Sequence, residues 1–204
     1  MIRVLLADDH GLVREGLRAI LAKGADIEVA AEAANGDEVL ALARKEEFDV
    51  ALLDLSMPGL SGIALIKRLK IERPKLRILV LSMHGEAQYA ARALKAGASG
   101  YLTKDSAASQ LLGAIRKIAA GGMHIPEAAA AGLISADKPA HELLSDREFE
   151  VLRLLVEGLG PTDIAERLHL SVKTVSTHKT RILEKLSLGS TAELVRYALE
   201  QKLV

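Results

Sequence analysis

Acidic, hydroxyl and amine side chains follow four apolar runs in the first half of the chain. Asp8 and Asp9 follow the run V-L-L-A, and Asp54 follows V-A-L-L. Ser82 follows I-L-V-L, and Lys104 comes two residues after G-Y-L, which contains Tyr101. Clustered carboxylates repel one another, so one would hold its proton at neutral pH unless a cation lay among them. Mg²⁺ prefers oxygen ligands and is commonly held by one or two carboxylates and a substrate phosphate. The residue types therefore indicate a site for Mg²⁺ and a phosphoryl group.

Asp54 is the strongest candidate for a nucleophile in this group. The apolar residues 50–53 would deliver it from a buried strand into the turn M-P-G. A carboxylate held rigidly in this way can accept a phosphoryl group as an acyl phosphate, and the ammonium of Lys104 would neutralise charge on that group. Taken singly, Asp8 and Asp9 could cap a helix and Lys104 could be a surface charge. Their shared location at strand ends favours one site.

The elements that would position these residues alternate strictly along the chain. Five apolar runs, beginning at Ile2, alternate with five segments of helical period, the last of them over residues 111–119. Residues 50–53 are apolar at consecutive positions, as a parallel strand covered on both faces requires. The crossover rule then predicts a doubly wound α/β fold with a five-stranded parallel sheet, in which ligands bind beyond the carboxyl ends of the strands.

These motifs resemble the receiver domain of response regulators, a flavodoxin-like fold, over residues 1–120. The resemblance implies that Asp54 is the phospho-acceptor, that Lys104 contacts the phosphoryl group, and that Ser82 and Tyr101 are switch residues. A sensor histidine kinase would donate the phosphoryl group. The protein would then act only on its own acyl phosphate, by phosphoryl transfer and autodephosphorylation.

The resemblance also implies how the metal is bound. Asp9, Asp54 and the backbone carbonyl of Ser56 would bind Mg²⁺ directly, and Asp8 would act through a water. No second histidine follows His10 at ligand spacing, so we interpret His10 as a residue at a helix start. His84 lies two residues past the switch serine, where the family's residues tend to affect the dephosphorylation rate.

The remaining chain carries no strand pattern. Residues 121–141 are predicted to form a linker, in which Pro126 indicates the first turn of a short helix. Four helical segments follow, so residues 142–204 are predicted to form a small all-α domain. Two of the segments, P-T-D-I-A-E-R-L-H-L and V-K-T-V-S-T-H-K-T-R-I-L-E-K-L, are amphipathic and separated by a tight turn with Ser171 as the predicted cap. This arrangement is typical of a helix-turn-helix.

The second of these helices is predicted to have an apolar and a polar face. The apolar stripe faces the bundle and comprises Val172, Val175, Ile182, Leu183 and Leu186. The outer residues are hydroxyls and bases: Lys173, Thr174, Ser176, Thr177, Lys179, Thr180 and Arg181. Together with Lys185, the bases oppose only one acid in this helix, Glu184. Such a face suits the major groove, because phosphates bind lysine and arginine and base edges accept hydroxyl contacts.

Residues 144–204 are similar to the LuxR-type helix-turn-helix of NarL/FixJ-class response regulators. The similarity lies in L-S-D-R-E-F-E-V-L-R, I-A-E-R-L and L-S-V-K-T-V-S-T-H. It implies a recognition helix from Val172 to about Leu186, binding to double-stranded promoter DNA, and a homodimer formed on phosphorylation. Ser176 and Thr180 replace residues that are often basic in relatives. Fewer phosphate contacts and a weaker salt dependence are therefore expected.

Composition limits the function without fixing it. The net charge is +0, so the whole chain does not have the basic excess of many DNA-binding proteins. Aromatic residues make up 2% of the chain, too few to stack single-stranded bases, and the absence of cysteine excludes disulfides and thiolate metal sites. No apolar run is long enough for a membrane span, so we expect a soluble cytoplasmic protein.

Two other functions are compatible with the residues. The first is a phosphorylation-dependent interaction protein whose helical domain binds another protein instead of DNA. The second is a stand-alone phosphotransferase or phosphatase, but the sequence has no P-loop, zinc-protease or nucleophile-elbow motif. A transcription regulator controlled by phosphorylation is the interpretation that uses both halves of the chain.

Overall fold

The computed structural model describes residues 1–58, 60, 62–82, 87–125, 140–201 and 203, without the side chains of residues 87, 88, 108 and 142. The chain divides into two compact units, Met1–Gly132 and Leu133–Val204. The short helix predicted after Pro126 lies outside the described residues. Within these ranges, no helix combines the length and the apolar character that crossing a membrane requires.

The first unit is a parallel sheet covered by helices. Strands and helices alternate as β1 (Ile2–Ala7), α1 (Gly11–Leu21), β2 (Ile27–Ala33), α2 (Gly36–Lys45), β3 (Val50–Asp54), α3 (Gly62–Glu72), β4 (Arg77–Ser82), α4 (Ala87–Lys95), β5 (Gly100–Thr103) and α5 (Lys104–Ala119). The strand order is β2-β1-β3-β4-β5, and every pairing is parallel. The predicted α/β fold class is confirmed.

The centre of the sheet is closed to water on both faces. Every residue of β3 is buried, as its consecutive apolar residues predicted. On one face, alternate strand residues such as Val4 and Leu52 pack against Leu17 of α1 and Leu111 of α5. Helices α2, α3 and α4 contact one another in sequence order and do not belong to this cluster. The strand ends that carry the polar residues are thus fixed by a rigid, dry core.

Helix α5 begins at Lys104, earlier than the predicted start at Leu111. Its first turns, K-D-S-A-A-S-Q, are small and polar, so apolar periodicity does not reveal them. Thr103 caps the helix because its side chain accepts a hydrogen bond from the amide of Ser106. Lys104 is therefore held by the first turn of a capped helix.

The segment that follows α5 returns to the outer edge of β5. Gly100 and His124 form a parallel bridge, in which the amide of Tyr101 donates to the His124 carbonyl at 2.9 Å. The amide of His124 donates in turn to the Ser99 carbonyl at 3.1 Å. This pairing covers part of a sheet edge and attaches residues just before the linker's undescribed part to β5.

The second unit is a helical bundle. A 3₁₀ turn (Ala140–Leu143) precedes α6 (Asp146–Val156), α7 (Pro161–Leu168), α8 (Val172–Leu186) and α9 (Thr191–Glu200). The predicted cap is present: Ser171 accepts from the amide of Thr174. Pro161 occupies the first turn of α7, and His169 has φ of 51° in the tight turn. The predicted four-helix domain is confirmed.

The predicted apolar stripe of α8 is buried at three of its five positions. Val175, Ile182 and Leu186 are buried in the bundle, Leu183 is half-buried, and Val172 is 46% exposed. Val172 is the first residue of α8 and Val175 is its first buried residue, so the apolar pattern begins before the packed part of the helix.

Candidate functional site

The strand ends of the first unit meet at one edge of the sheet. Ala7 pairs with Leu53, so Asp8 follows β1 where Asp54 ends β3. Ser82 ends β4 opposite Thr103, the last residue of β5. The parallel register therefore brings the predicted acids, the serine and the start of α5 to the same edge.

Lys104 joins two of the acids directly. Its Nζ lies 2.6 Å from Oδ2 of Asp8 and 2.8 Å from Oδ2 of Asp54. Both carboxylates are buried, Asp8 completely. Burial alone would lower the pKa of Lys104, but hydrogen bonds and charge from Asp54 and Asp8 outweigh it and raise the pKa above its usual value. A charged ammonium is thus fixed beside Asp54.

The second oxygens of these acids are held by backbone amides. Oδ1 of Asp54 accepts from the Ser56 amide at 3.0 Å, and Oδ1 of Asp8 accepts from the His10 amide at 2.8 Å. Helix α1 is preceded by His10, whose side chain forms no capping bond, and its first turn contains no acid. The geometry therefore does not favour the alternative that these acids cap α1.

Four residues could contribute ligands to one metal ion. Ligand atoms of Asp8, Asp9, His10 and Asp54 all lie within 4.8 Å of one another. Oδ1 of Asp9 is buried without a hydrogen bond among the described residues, and it lies 2.8 Å from Nδ1 of His10. Three carboxylates and one ammonium leave excess negative charge, so the oxygen-rich group fits Mg²⁺. The Ser56 carbonyl, predicted as another ligand, belongs to the turn that follows Asp54.

The predicted switch residues are both buried. Ser82 is 2% exposed and Tyr101 is 1% exposed, the latter inside β5 with its backbone amide bonded to His124. His84, predicted to tune dephosphorylation, lies outside the described residues. The structure therefore places Ser82 at the edge with the acids and Tyr101 two residues before the end of the neighbouring strand.

Gly36 is a residue of this site that sequence reasoning missed. A Cβ atom added to Gly36 would lie 1.6 Å from the carbonyl oxygen of Leu60, and the Gly36 amide donates to the Pro58 carbonyl at 3.4 Å. The first turn of α2 thus packs against the turn that follows Asp54 and Ser56. In the sequence, A-N-G is an ordinary helix start with Asn35 as its cap, and nothing in it indicates this contact.

Gly36→Ala is expected to weaken Mg²⁺ binding and to lower stability by about 1 to 3 kcal/mol, because backbone at Leu60 must move. Thermal unfolding with increasing Mg²⁺ measures both effects. Gly16→Ala is the matched control: its Cβ would meet nothing within 4 Å, and alanine favours a helix interior. Equal Mg²⁺ stabilisation in both variants would show that Gly36 does not support the metal site.

The outer residues of α8 do not all lie on one side of the helix. Lys173, Ser176, Thr177, Thr180 and Arg181 are exposed, while Thr174 and Lys179 are half-buried. A helix turns by about 100° per residue, so Lys179 and Arg181 lie about 160° apart around its axis. In the described part of the chain, Lys173 and Arg181 have no ion pair. These two residues are the available cations of the exposed stripe, and Lys179 lies on its flank.

Lys185 is exposed but paired with an acid, so it does not add available positive charge to this stripe, contrary to the sequence interpretation. Its Nζ lies 2.6 Å from Oε2 of Glu148 and 3.3 Å from the Leu143 carbonyl. Burial would raise the pKa of Glu148, but hydrogen bonds from Lys185 and Ser145 and the charge of Lys185 lower it overall. Lys185 thus ties α8 to the start of α6.

Both units match known families. Residues 4–116 match the response regulator receiver domain, and residues 142–198 match the luxR family of bacterial regulatory proteins. Two similar proteins are both described as oxygen regulatory protein NreC. The protein of Staphylococcus epidermidis (strain ATCC 12228 / FDA PCI 1200) is 39% identical over 216 residues, and that of Staphylococcus carnosus is 37% identical over 215 residues. Each comparison covers 100% of this chain and 99% of the relative.

Solved structures of RcsB are similar over nearly the whole chain. A structure of the Salmonella typhimurium protein has a TM-score of 0.74 at 32% identity, and an RcsB–DNA complex has a TM-score of 0.63 at 33% identity. Each comparison covers 96% of this chain and 96% of the solved chain. With a receiver domain, a LuxR-type DNA-binding domain and these relatives, the chain belongs to the NarL/FixJ class of two-component response regulators and regulates transcription.

Proposed function

We propose that Asp54 accepts a phosphoryl group from a sensor histidine kinase and that this modification controls dimerisation and promoter binding through α8. The observation that carries the proposal is the contact of Lys104 with both Asp8 and Asp54. It places a fixed positive charge beside a buried carboxylate at the edge where ligands of such sheets bind. Helix α8 supplies the exposed polar stripe for DNA.

Asp54 would be the nucleophile in phosphoryl transfer. One carboxylate oxygen attacks phosphorus while the phosphorus–nitrogen bond of the donor phosphohistidine breaks, and the leaving imidazole keeps the electron pair and takes up a proton. The hydrogen bond from the Ser56 amide orients the carboxylate for this attack. Lys104 is already placed to contact the transferred group, so little rearrangement is needed to neutralise its charge.

The excess negative charge of the site supports Mg²⁺ as the resident ion. Asp9, Asp54 and the Ser56 carbonyl would hold it, with Asp8 acting through a water. When bound, the ion neutralises charge on the transferred phosphoryl group. Oδ1 of Asp9 is buried and accepts no hydrogen bond within the described residues, which supports Asp9 as a ligand.

The effect of the phosphoryl group would reach the linker through β5. A phosphoryl dianion at Asp54 adds strong acceptor oxygens near the end of β4, where the hydroxyl of Ser82 can donate to them. Tyr101 follows on the adjacent strand, and its amide donates to the carbonyl of His124, a residue of the linker. A change at Ser82 and Tyr101 therefore has a short covalent and hydrogen-bonded route to the linker. One of the similar RcsB structures contains two dimers bound to two parallel DNAs, which supports a dimeric output.

The test is sedimentation and DNA binding of the full chain with a pool of random duplexes. Mg²⁺ with beryllofluoride, a phosphoryl mimic, is expected to favour dimers and to tighten DNA binding, whereas Mg²⁺ alone is not. If the mimic changes neither the sedimentation nor the affinity, the phosphoryl switch is wrong. If it drives dimerisation without DNA binding, the helical unit recognises a different partner.

A further inference from the structure

Three hydroxyls on the exposed stripe of α8 have their hydrogens engaged inside the helix. Oγ of Ser176 donates to the Val172 carbonyl at 3.0 Å, and Oγ1 of Thr177 donates to the Lys173 carbonyl at 2.9 Å. Oγ1 of Thr180 donates to the Ser176 carbonyl at 3.1 Å. The same bond, to the residue four positions earlier, is thus repeated at each position.

This arrangement fixes what the hydroxyls can offer to a ligand. A hydroxyl has one hydrogen and two lone pairs. With the hydrogen bound to a backbone carbonyl, only the lone pairs are available, so the group accepts hydrogen bonds. Donation to an outside acceptor would first require breaking an intrahelical bond.

The three residues also lie where a recognition helix meets base edges. Ser176, Thr177 and Thr180 are exposed and fall within about 100° of the helix circumference. They belong to the first nine residues of α8, and the N-terminal residues of a recognition helix contact bases. The nearest exposed cations, Lys173 and Arg181, suit phosphates or guanine and cannot accept a hydrogen bond.

We propose that α8 reads its operator as a hydrogen-bond acceptor at Ser176, Thr177 and Thr180. In the major groove, the donors are the N6 amino group of adenine and the N4 amino group of cytosine, whereas thymine O4 and guanine O6 and N7 are acceptors. The bases opposite these side chains are therefore adenine or cytosine. This inference rests on the proposed binding of promoter DNA by α8.

The experiment starts from operators selected by the full chain, with Mg²⁺ and beryllofluoride, from random duplexes. Each adenine in the selected site is replaced singly by purine, which lacks the N6 amino group, or by 7-deazaadenine, which lacks the N7 acceptor. Cytosines are replaced by the analogue without the N4 amino group. At the contacted bases, loss of the amino group is expected to weaken binding about threefold to tenfold, the range for one hydrogen bond, and loss of N7 to have little effect.

Protein variants assign each effect to a side chain. Ser176→Ala, Thr177→Val and Thr180→Val remove the acceptor, so each is expected to cancel the amino-group effect at its own base only. Thr177→Ser and Thr180→Ser keep the hydroxyl and should keep the effect. The same analogues at bases that the protein does not contact measure how much affinity is lost through weakened base pairing alone.

Two results would overturn this inference, and a third would overturn the proposed function on which it rests. Sensitivity to N7 without sensitivity to the amino groups would show that the hydroxyls donate. Insensitivity to both changes at every base would show that they do not touch base edges, although DNA is still bound. Failure to select any sequence, with or without beryllofluoride, would instead overturn the proposed operator binding itself.

Discussion

Replacement of Asp54 by asparagine is expected to abolish phosphoryl uptake by this protein. Asparagine keeps the size and shape of the side chain but offers a neutral amide in place of the carboxylate nucleophile. Lys104 retains its bond to Asp8, so the surrounding structure should change little. The measurement is the intact mass after incubation with acetyl phosphate and Mg²⁺: the wild type gains one phosphoryl group, and the variant gains none.

The control for this prediction is Asp37→Asn, which removes an equal charge from an exposed position in the first turn of α2. It should be phosphorylated at the wild-type rate. Hydroxylamine should release the group from the wild type, because an acyl phosphate reacts with this nucleophile. A phosphorylated Asp54→Asn protein would contradict the assignment of Asp54 as the sole acceptor.

The position of the acids was predictable because a parallel sheet sends successive strand ends to one edge. The apolar run before Asp54 fixed the residue at the end of a buried strand, and the convergence with Asp8 followed from the register. Lys104 could be placed at this edge by the same argument. The helical conformation of Lys104 could not be predicted, since the small polar residues that follow Lys104 lack apolar periodicity.

Contacts that depend on backbone proximity or on a single rotamer were not predictable. The packing of Gly36 beneath Leu60 joins two turns that are remote in sequence, and the glycine has no side chain to indicate it. Lys185 is a residue type that often contacts DNA. It lies opposite the buried Glu148, however, and forms a structural ion pair with it. Its position in α8 does not distinguish these roles, because Lys185 is exposed yet lies only about 60° around the helix axis from the buried Ile182.

Removing two cations from the exposed stripe is expected to have the second large effect, on DNA binding. Lys173→Ala with Arg181→Ala should weaken operator affinity about 100-fold if each side chain forms a charged hydrogen bond to DNA. If both contacts are to phosphates, the slope of log affinity against log salt should become less negative by about 1.8, since fewer counterions are released. Titrations of fluorescent operator DNA at several salt concentrations give both quantities.

The matched control is Lys45→Ala with Lys75→Ala, two exposed lysines of the receiver unit. This variant loses the same charge, so it separates a general charge effect from contacts made by α8. A lower affinity with an unchanged salt slope would place Lys173 and Arg181 on bases instead of phosphates. Unchanged affinity and slope would contradict a DNA interface on this stripe. Because Lys185 is engaged by Glu148, that result would leave only the half-buried Lys179 among the cations of α8, and a protein partner would then better explain its polar face.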